Sequence, residues 1–305
     1  MSRQQRIMIT GASGFTGIHA CEHFLNKGYQ VIGVVRRKTL SFEHQGMLIE
    51  KCDLTNKQGV DALIHKTKPH FLLHLAGQNH VPTSWKEPLA TFENNVVSTA
   101  YLIESIRVHF PFCKIIVVGS ALQSDLNQIS TPTHPYSFSK SIQVLAAQAW
   151  QTLFHMNIMI AKPSNLIGPG PSKGVCSILA EKIAKMEFCD VSKFLEVSNL
   201  LAKRDFLDVR DAVLAYDYMF AKGEAGKIYD VCSGNPRTLK EIINVFHSMA
   251  TVNFQFKGLQ DENEKLESIK PLELQNIGWS QKIQLKQSLN DILTEKRNIV
   301  SSLPS

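Results

Sequence analysis

The amino-acid sequence predicts an α/β fold built on a doubly wound parallel sheet, and three observations carry that expectation. Short apolar runs alternate with helical stretches from the start of the chain to about Lys162. The runs are near-continuous in Val, Ile and Leu, as parallel strands covered by helices on both faces must be. The first run ends in a glycine-rich turn that opens directly into an amphipathic segment. A βαβαβ alternation of this kind implies an open sheet with right-handed crossovers.

The expected strands are Ile7–Thr10, Val31–Val35, Leu48–Cys52, Phe71–Leu75, Ile115–Val118 and Ile158–Ala161. Between them, Thr16–Lys27 and Gln58–Thr67 carry helical periodicity, and Ile142, Leu145, Ala146, Ala149, Trp150 and Leu153 fall on one helical stripe. After Lys162 the texture changes: Pro163, Gly168, Pro169, Gly170 and Pro171 take the chain out of the sheet through a loop. A helix follows at Val175–Met186. Phe206–Val209 and Lys227–Val231 are expected to return to the sheet, with helices near Thr238–Ala250 and Leu285–Arg297. The reading is a sheet domain over 1–162, rejoined by 206–231, and a smaller lobe from 163–205 and 232–305.

Composition narrows the classes. The 305 residues are 44% hydrophobic and 20% charged, which suits a soluble globular protein rather than a disordered one. The net charge of +6 favours anionic ligands, but no run of Lys and Arg is long enough for a nucleic-acid arm. Six cysteines are scattered without a CxxC pair or a Cys/His cluster at zinc spacing, so no metal is expected. No segment approaches the roughly 20 apolar residues that span a bilayer, and no secretory leader is visible. A cytoplasmic protein without membrane or nucleic-acid partners is expected.

The turn after the first strand reads Gly11-Ala12-Ser13-Gly14-Phe15-Thr16-Gly17. Glycines there permit a tight turn, close approach of a pyrophosphate to the backbone, and close helix–strand packing. The anion would then sit at the positive end of the following helix. A dinucleotide site is the expectation. Its ribose end is set by the end of the second strand, Val34-Val35-Arg36-Arg37-Lys38, which offers guanidiniums where an NAD site usually carries an acid. Arg36 and Arg37 suit a 2′-phosphate, which points to NADP(H). Asp53, after the third strand, can cap the next helix.

Tyr136-Ser137-Phe138-Ser139-Lys140 has the YxxxK spacing. Positions i and i+4 share a helix face, so phenol and ammonium project together. The cation is expected to lower the phenol from its usual value of about 10, making the pair a proton donor to a carbonyl. His74 reads as a packed strand residue.

The GxxGxxG spacing, His74-Leu75-Ala76-Gly77, Ser120 at the end of the fifth strand and Tyr136/Lys140 together resemble the extended short-chain dehydrogenase/reductases, the NAD-dependent epimerase/dehydratase group. The resemblance covers nearly the whole chain. It implies a Rossmann-type fold with a C-terminal substrate lobe, and a catalytic Ser120, Tyr136 and Lys140, with Ser124 a rival for the serine. It also implies cofactor contacts from the glycine turn, Arg36, Arg37, Asp53, Leu54, Leu75, Ala76, Gly77, Asn95, Tyr136, Lys140 and Pro163. Members often pair through helices around Phe92–Phe110 and Tyr136–Phe154, which implies a homodimer.

Ser84-Trp85-Lys86-Glu87-Pro88, Asn94-Asn95-Val96, Asn165-Leu166-Ile167-Gly168-Pro169-Gly170 and the run from Ser198 to Asp211 resemble one branch, the GDP-4-keto-6-deoxymannose reductases and their relatives. That implies a nucleotide-diphosphate sugar as substrate, its diphosphate held by Asn165 and Arg204, with Gln78, Ser84 and Ser120 near the sugar. Arg204 has a second reading, an ion pair with Asp205 or Asp208. Ser120 is followed by Ala121-Leu122, where sugar-nucleotide dehydratases carry Asp-Glu, so loss of water is disfavoured. The usual C-terminal Arg-Pro is not evident, Lys270-Pro271 being the nearest match. The expected reaction is NADPH-dependent reduction of a 4-keto-6-deoxyhexose. An epimerase with tightly held NAD and a non-catalytic NADP-binding scaffold are the alternatives.

Overall fold

The structure is a computed structural model that describes residues 4–36, 46–122, 132–261 and 268–302; Arg37 and Ser124 lie outside these. The first strand, β1 (Arg6–Thr10), is buried on both faces from Ile7 onward, which is why it carries no polar alternation. Helix α1 (Phe15–Asn26) follows the glycine turn, and β2 (Gln30–Val35) and β3 (Met47–Lys51) lie successively beside β1. Helix α2 (Lys57–Thr67) crosses the sheet, and the chain returns as β4 (Phe71–His74) on the other flank of β1.

From β4 the chain runs through short helices α3 (Val81–Lys86) and α4 (Pro88–Phe92). A π-helical turn at Glu93–Val97 then leads into α5 (Ser98–His109). Strand β5 (Lys114–Val118), the 20-residue helix α6 (Pro135–Phe154) and β6 (Ile158–Pro163) complete the run that the sequence predicts. Beyond it come β7 (Asn165–Ile167), α7 (Val175–Phe188), β8 (Phe194–Asn199), β9 (Lys203–Arg204), β10 (Phe206–Asp208), α8 (Val209–Lys222) and β11 (Ile228–Val231). The chain closes with β12 (Arg237–Thr238), α9 (Leu239–Met249), β13 (Gln255–Leu259), α10 (Leu272–Asn276) and α11 (Leu285–Ser301).

Seven strands form the central sheet in the order β11-β6-β5-β4-β1-β2-β3. The strand registers are parallel from β6 to β3. The bonds Ile160 N–H to Lys227 C=O and Ser164 N–H to Val231 C=O run the same way along β6 and β11, so the outer strand is parallel too. The order reverses between β1 and β4. In such sheets that switch point opens a crevice at the carboxyl ends of the strands, where dinucleotides bind.

The chain divides into two units. One holds Met1–Pro163, Val213–Tyr229 and Glu273–Trp279; the other holds Ser164–Ala212, Asp230–Leu272 and Ser280–Ser305. In the sheet unit, α2, α5 and α6 cover one face through Leu63, Leu102, Ile106 and Val144 packed on Met8, Leu72 and Ile115. A ring cluster of Phe24, Tyr29, Phe71 and Phe220 ties α1, β4 and α8 together. Each fully buried aromatic or leucine of this kind contributes about 1.5–3 kcal/mol.

The second unit packs α7, α9 and α11 around Leu179, Ile183, Ile243, Phe246, Leu289 and Ile292. Thr238 opens α9 with a complete capping box on Glu241. Here the sequence expectation needs a correction. Residues 206–208 do not rejoin the central sheet; β10 pairs in parallel with β7, Phe206 opposite Asn165. Three apolar-flanked residues read alike as a central strand or as one side of a two-stranded ladder. The segment Glu273–Trp279 also belongs to the sheet unit, which no periodicity announced.

Candidate active site

Residues of the glycine turn meet the backbone of the neighbouring strand end. Gly11 has φ +69°, a left-handed conformation, and a side chain there would press on the main chain of Leu75 and Ala76. At Gly17 a Cβ would lie 2.1 Å from the Gly11 carbonyl oxygen, so only glycine lets α1 start this close to the turn. No side chain caps α1, and Ser13 and Gly14 are exposed. The result is a backbone cradle with first-turn amides available to an anion, and a diphosphate fits it.

Just past the end of β2 Arg36 is exposed, and its Nη1 reaches Asn94 Oδ1 at 3.4 Å. Asp53 accepts from the amide and hydroxyl of Thr55, at 3.0 and 2.8 Å. Those bonds, together with the Arg36 charge, hold its carboxyl below the usual carboxylate range. Asp53 is not the cap of α2; Asn56 is, accepting the Gly59 N–H at 3.0 Å. Leu54 is buried beside this turn. Asn94 is a member of this end that motif reading quoted without giving it a role.

A polar network lies under the cleft. His74 is buried between Thr10 Oγ1 at 2.7 Å and Thr99 Oγ1 at 2.8 Å. Thr99 spends its proton on the Asn95 carbonyl and Thr10 accepts the Ala76 N–H. His74 therefore carries its hydrogen on Nε2 and accepts at Nδ1. Burial, aided by the Lys140 charge, lowers it to about 3, so it stays neutral and serves packing, as its strand position predicts. Asn95, fully buried on the π-helical turn, accepts the Gln78 N–H at 2.7 Å. It donates to the Gln78 carbonyl and to Ser139 Oγ, at 3.0 and 2.9 Å. It thus clamps the loop after β4 to α6, a role no motif conveyed.

Ser120, Tyr136 and Lys140 come together at the ends of β5 and α6, all of them buried. The Ser120 hydroxyl bonds Tyr136 and also accepts the Leu122 N–H at 3.1 Å. Lys140 Nζ donates to the Val118 carbonyl at 2.6 Å. Burial raises the Tyr136 phenol, with the Ser120 bond pulling it down. The expectation that Lys140 would lower it is not met: burial instead depresses Lys140 itself, to about 7, which weakens its charge. Pro163, at the end of β6, accepts the Ala121 N–H at 2.9 Å.

The residues expected to read a sugar behave differently. Gln78 has both ends of its amide on the His80 main chain, at 2.9 and 2.8 Å. Ser84, expected near the sugar, is fully buried and donates to the Val81 carbonyl. In the second unit, Asn165 is exposed with its Nδ2 on the Asp205 carbonyl at 3.1 Å. Arg204 Nη1 donates to the Lys203 carbonyl at 2.6 Å. The Asp205 carboxylate is taken up by Ser233 and Asn235, and that of Asp208 by Arg210 and Ser288.

Strand register adds a residue that sequence reading missed. β9 pairs antiparallel with β12 and sets Arg237 directly opposite Arg204. Side chains opposite one another share a face, so both guanidiniums belong to one face of this ladder. Glu241 takes one of them at 3.2 Å. Lys270, the nearest match to the missing Arg-Pro, is turned onto the Gly234 carbonyl at 2.6 Å. No group of three or more His, Cys, Asp or Glu able to hold a metal occurs among the described residues.

A glycine cradle at a switch point, with a buried Ser–Tyr–Lys set one strand away, is the equipment of an enzyme that works with a nicotinamide dinucleotide. The profile of the NAD dependent epimerase/dehydratase family matches residues 7–232, and the chain belongs to that family. It is 28% identical to the GDP-6-deoxy-D-mannose reductase of Pseudomonas aeruginosa, over 95% of this chain and 97% of that protein. Among solved structures it resembles RMD from Pseudomonas aeruginosa complexed with NADPH, with TM-score 0.81 and 26% identity over 97% of this chain and 100% of that one. A Thermus thermophilus UDP-glucose 4-epimerase in complex with NAD shares the fold, with TM-score 0.81 and 21% identity over 96% of this chain and 99% of that one. No described helix is long and apolar enough to cross a membrane.

Proposed function

We propose that the protein is an NADPH-dependent reductase of a nucleotide-linked 4-keto-6-deoxyhexose. The observation that carries the reading is the buried Ser120–Tyr136 hydrogen bond beside Lys140. The likeness to the Pseudomonas aeruginosa reductase extends over nearly the full length of both chains and supports the substrate class. The nicotinamide, when bound, supplies the hydride for C4. Ser120 holds the substrate carbonyl, and Tyr136, kept protonated by its burial, donates its phenolic proton to the oxygen as charge develops there. Lys140, one turn further along the same face of α6, orients the cofactor ribose.

Arg36 favours the 2′-phosphate of NADP(H), because no carboxylate stands at the end of β2. Arg204 suits a diphosphate as a forked donor, and Asn165 bonds the carbonyl of the next residue, Asp205. Ala121 and Leu122, both exposed, bring no acid or base to the substrate, which argues against dehydration. Six free cysteines fit a reducing, cytoplasmic setting. The reading includes a homodimer through α5 and α6, whose Val108, Phe138, Leu145 and Leu153 are exposed apolar side chains.

The test is NADPH consumption against GDP-, UDP- and dTDP-4-keto-6-deoxy sugars, with Tyr136→Phe as control. Turnover with one of them that falls about 10²–10⁴-fold in the variant is expected. The second reading, an epimerase, is favoured instead if the purified protein carries stoichiometric NAD that does not exchange.

A further inference from the structure

Tyr136 sits on the first turn of α6, and the residue that opens this helix is a histidine. His134 is extended, with φ −165° and ψ 159°, and its Nδ1 accepts the Ser137 N–H at 2.9 Å. The Ser137 hydroxyl donates back to the His134 carbonyl at 2.9 Å, and the Phe138 N–H reaches the same carbonyl at 3.2 Å. The imidazole lies nearly parallel to the Tyr136 ring, with centroids 5.9 Å apart and 23° between the planes. One side chain therefore both caps the turn and braces the phenol that it carries.

Imidazole is an unusual N-cap; Ser, Thr, Asp and Asn are preferred. It differs from them in one property: the lone pair that accepts the helix N–H is also the site of protonation. An imidazolium has two donors and no acceptor. Its charge would also stand at the positive end of the helix, where cations are disfavoured. Protonation thus breaks the cap and repels the helix at once.

We propose that His134 is a positioning residue for Tyr136, whose neutral imidazole holds the first turn of α6 and whose protonation releases it. On the acid side, turnover then falls through the cap and not through the reacting phenol. From α6 the imidazole faces Tyr136 and Ser137. Burial keeps the Tyr136 phenol protonated throughout the acid range, and Ser137 is uncharged. No charged group among the described residues acts on His134, which burial moves below the usual imidazole value. The neutral form is the folded one, so stability is full above the unfolded imidazole value of about 6.5. It is lost as pH falls from there towards the depressed folded value.

This rests on Tyr136 being the proton donor. The experiment compares kcat, KM for NADPH and thermal stability from pH 5 to 8 in wild type, His134→Asn and His134→Ala. Asparagine caps without titrating, so His134→Asn is expected to keep kcat at pH 8 and to flatten the acid limb. His134→Ala should lower kcat about tenfold at pH 8, a gap that closes as pH falls to 5, with KM for NADPH little changed. A wild-type acid limb retained in His134→Asn, or an unaltered kcat in His134→Ala, overturns the proposal. A wild type inactive on every keto sugar overturns the functional reading instead. The stability arm then still decides the cap: a melting-temperature gap between wild type and His134→Asn that does not widen as pH falls from 8 to 5 rejects it.

Discussion

Lys140 shows what burial costs a single charged residue. Its ammonium is buried on one short bond to a carbonyl, and its value falls to about 7 from an ordinary 10.5. Between those two values the unfolded chain binds the proton and the folded one does not, so stability rises with pH across that window and is lost as pH drops back to about 7. Lys140→Met should abolish that slope between pH 7 and 10.5 in thermal melts, raise the melting temperature at pH 7, and remove turnover. Arg36 is the other residue with a sharp expectation. Removing its guanidinium in Arg36→Ala should raise KM for NADPH tenfold or more, on the order of one lost charge-assisted bond. KM for NADH, measured in parallel, should stay within about twofold, because no 2′-phosphate is there to miss the contact.

Among the elements, helices and central strands were legible because their signals are local. Ile7–Thr10 and Phe71–Leu75 read as strands from near-continuous apolar runs, the latter observed as Phe71–His74, and α6 reads from its apolar stripe. Short ladders were not legible: β9 and β12 are two residues each, and the pairing of Arg204 with Arg237 exists only in three dimensions. The Asn95 clamp was hidden for the same reason, since its partners Gln78 and Ser139 lie 17 and 44 residues away. The Ser84 hydroxyl turns onto the Val81 carbonyl, and a motif position says nothing about which way a hydroxyl turns. In the second unit, α11 is stapled to α7 by Arg297, which forks onto Glu187 at 2.6 and 2.7 Å and also reaches the Met249 carbonyl. Burial pushes the Glu187 carboxyl up, but the Arg297 and Thr251 bonds outweigh it and hold it low. With Glu187 only 2% exposed, Arg297→Ala leaves a buried charge unpaired. It should cost about 3–5 kcal/mol in urea unfolding, while Arg297→Lys should recover part of that.

On the scale of the whole molecule, exposed apolar residues on α5 and α6 give the homodimer reading a direct check. Light scattering at micromolar protein should give twice the 34.2 kDa chain mass, and Leu145→Glu with Leu153→Glu should return it to one chain. The sheet unit has a further property that follows from its wiring. It is assembled from three separate stretches of chain, the last of them Glu273–Trp279, and its outer strand β11 reaches β6 only after the intervening residues of the second unit have been threaded. A ribosome delivers the chain from the N-terminus, so the cofactor cradle at Gly11–Gly17 emerges early while the edge of β6 waits unpaired. An open parallel edge of buried Ile158, Met159 and Ile160 is a template for other chains. Synthesis order therefore makes the nascent sheet, rather than the finished enzyme, the stage that most needs protection from aggregation.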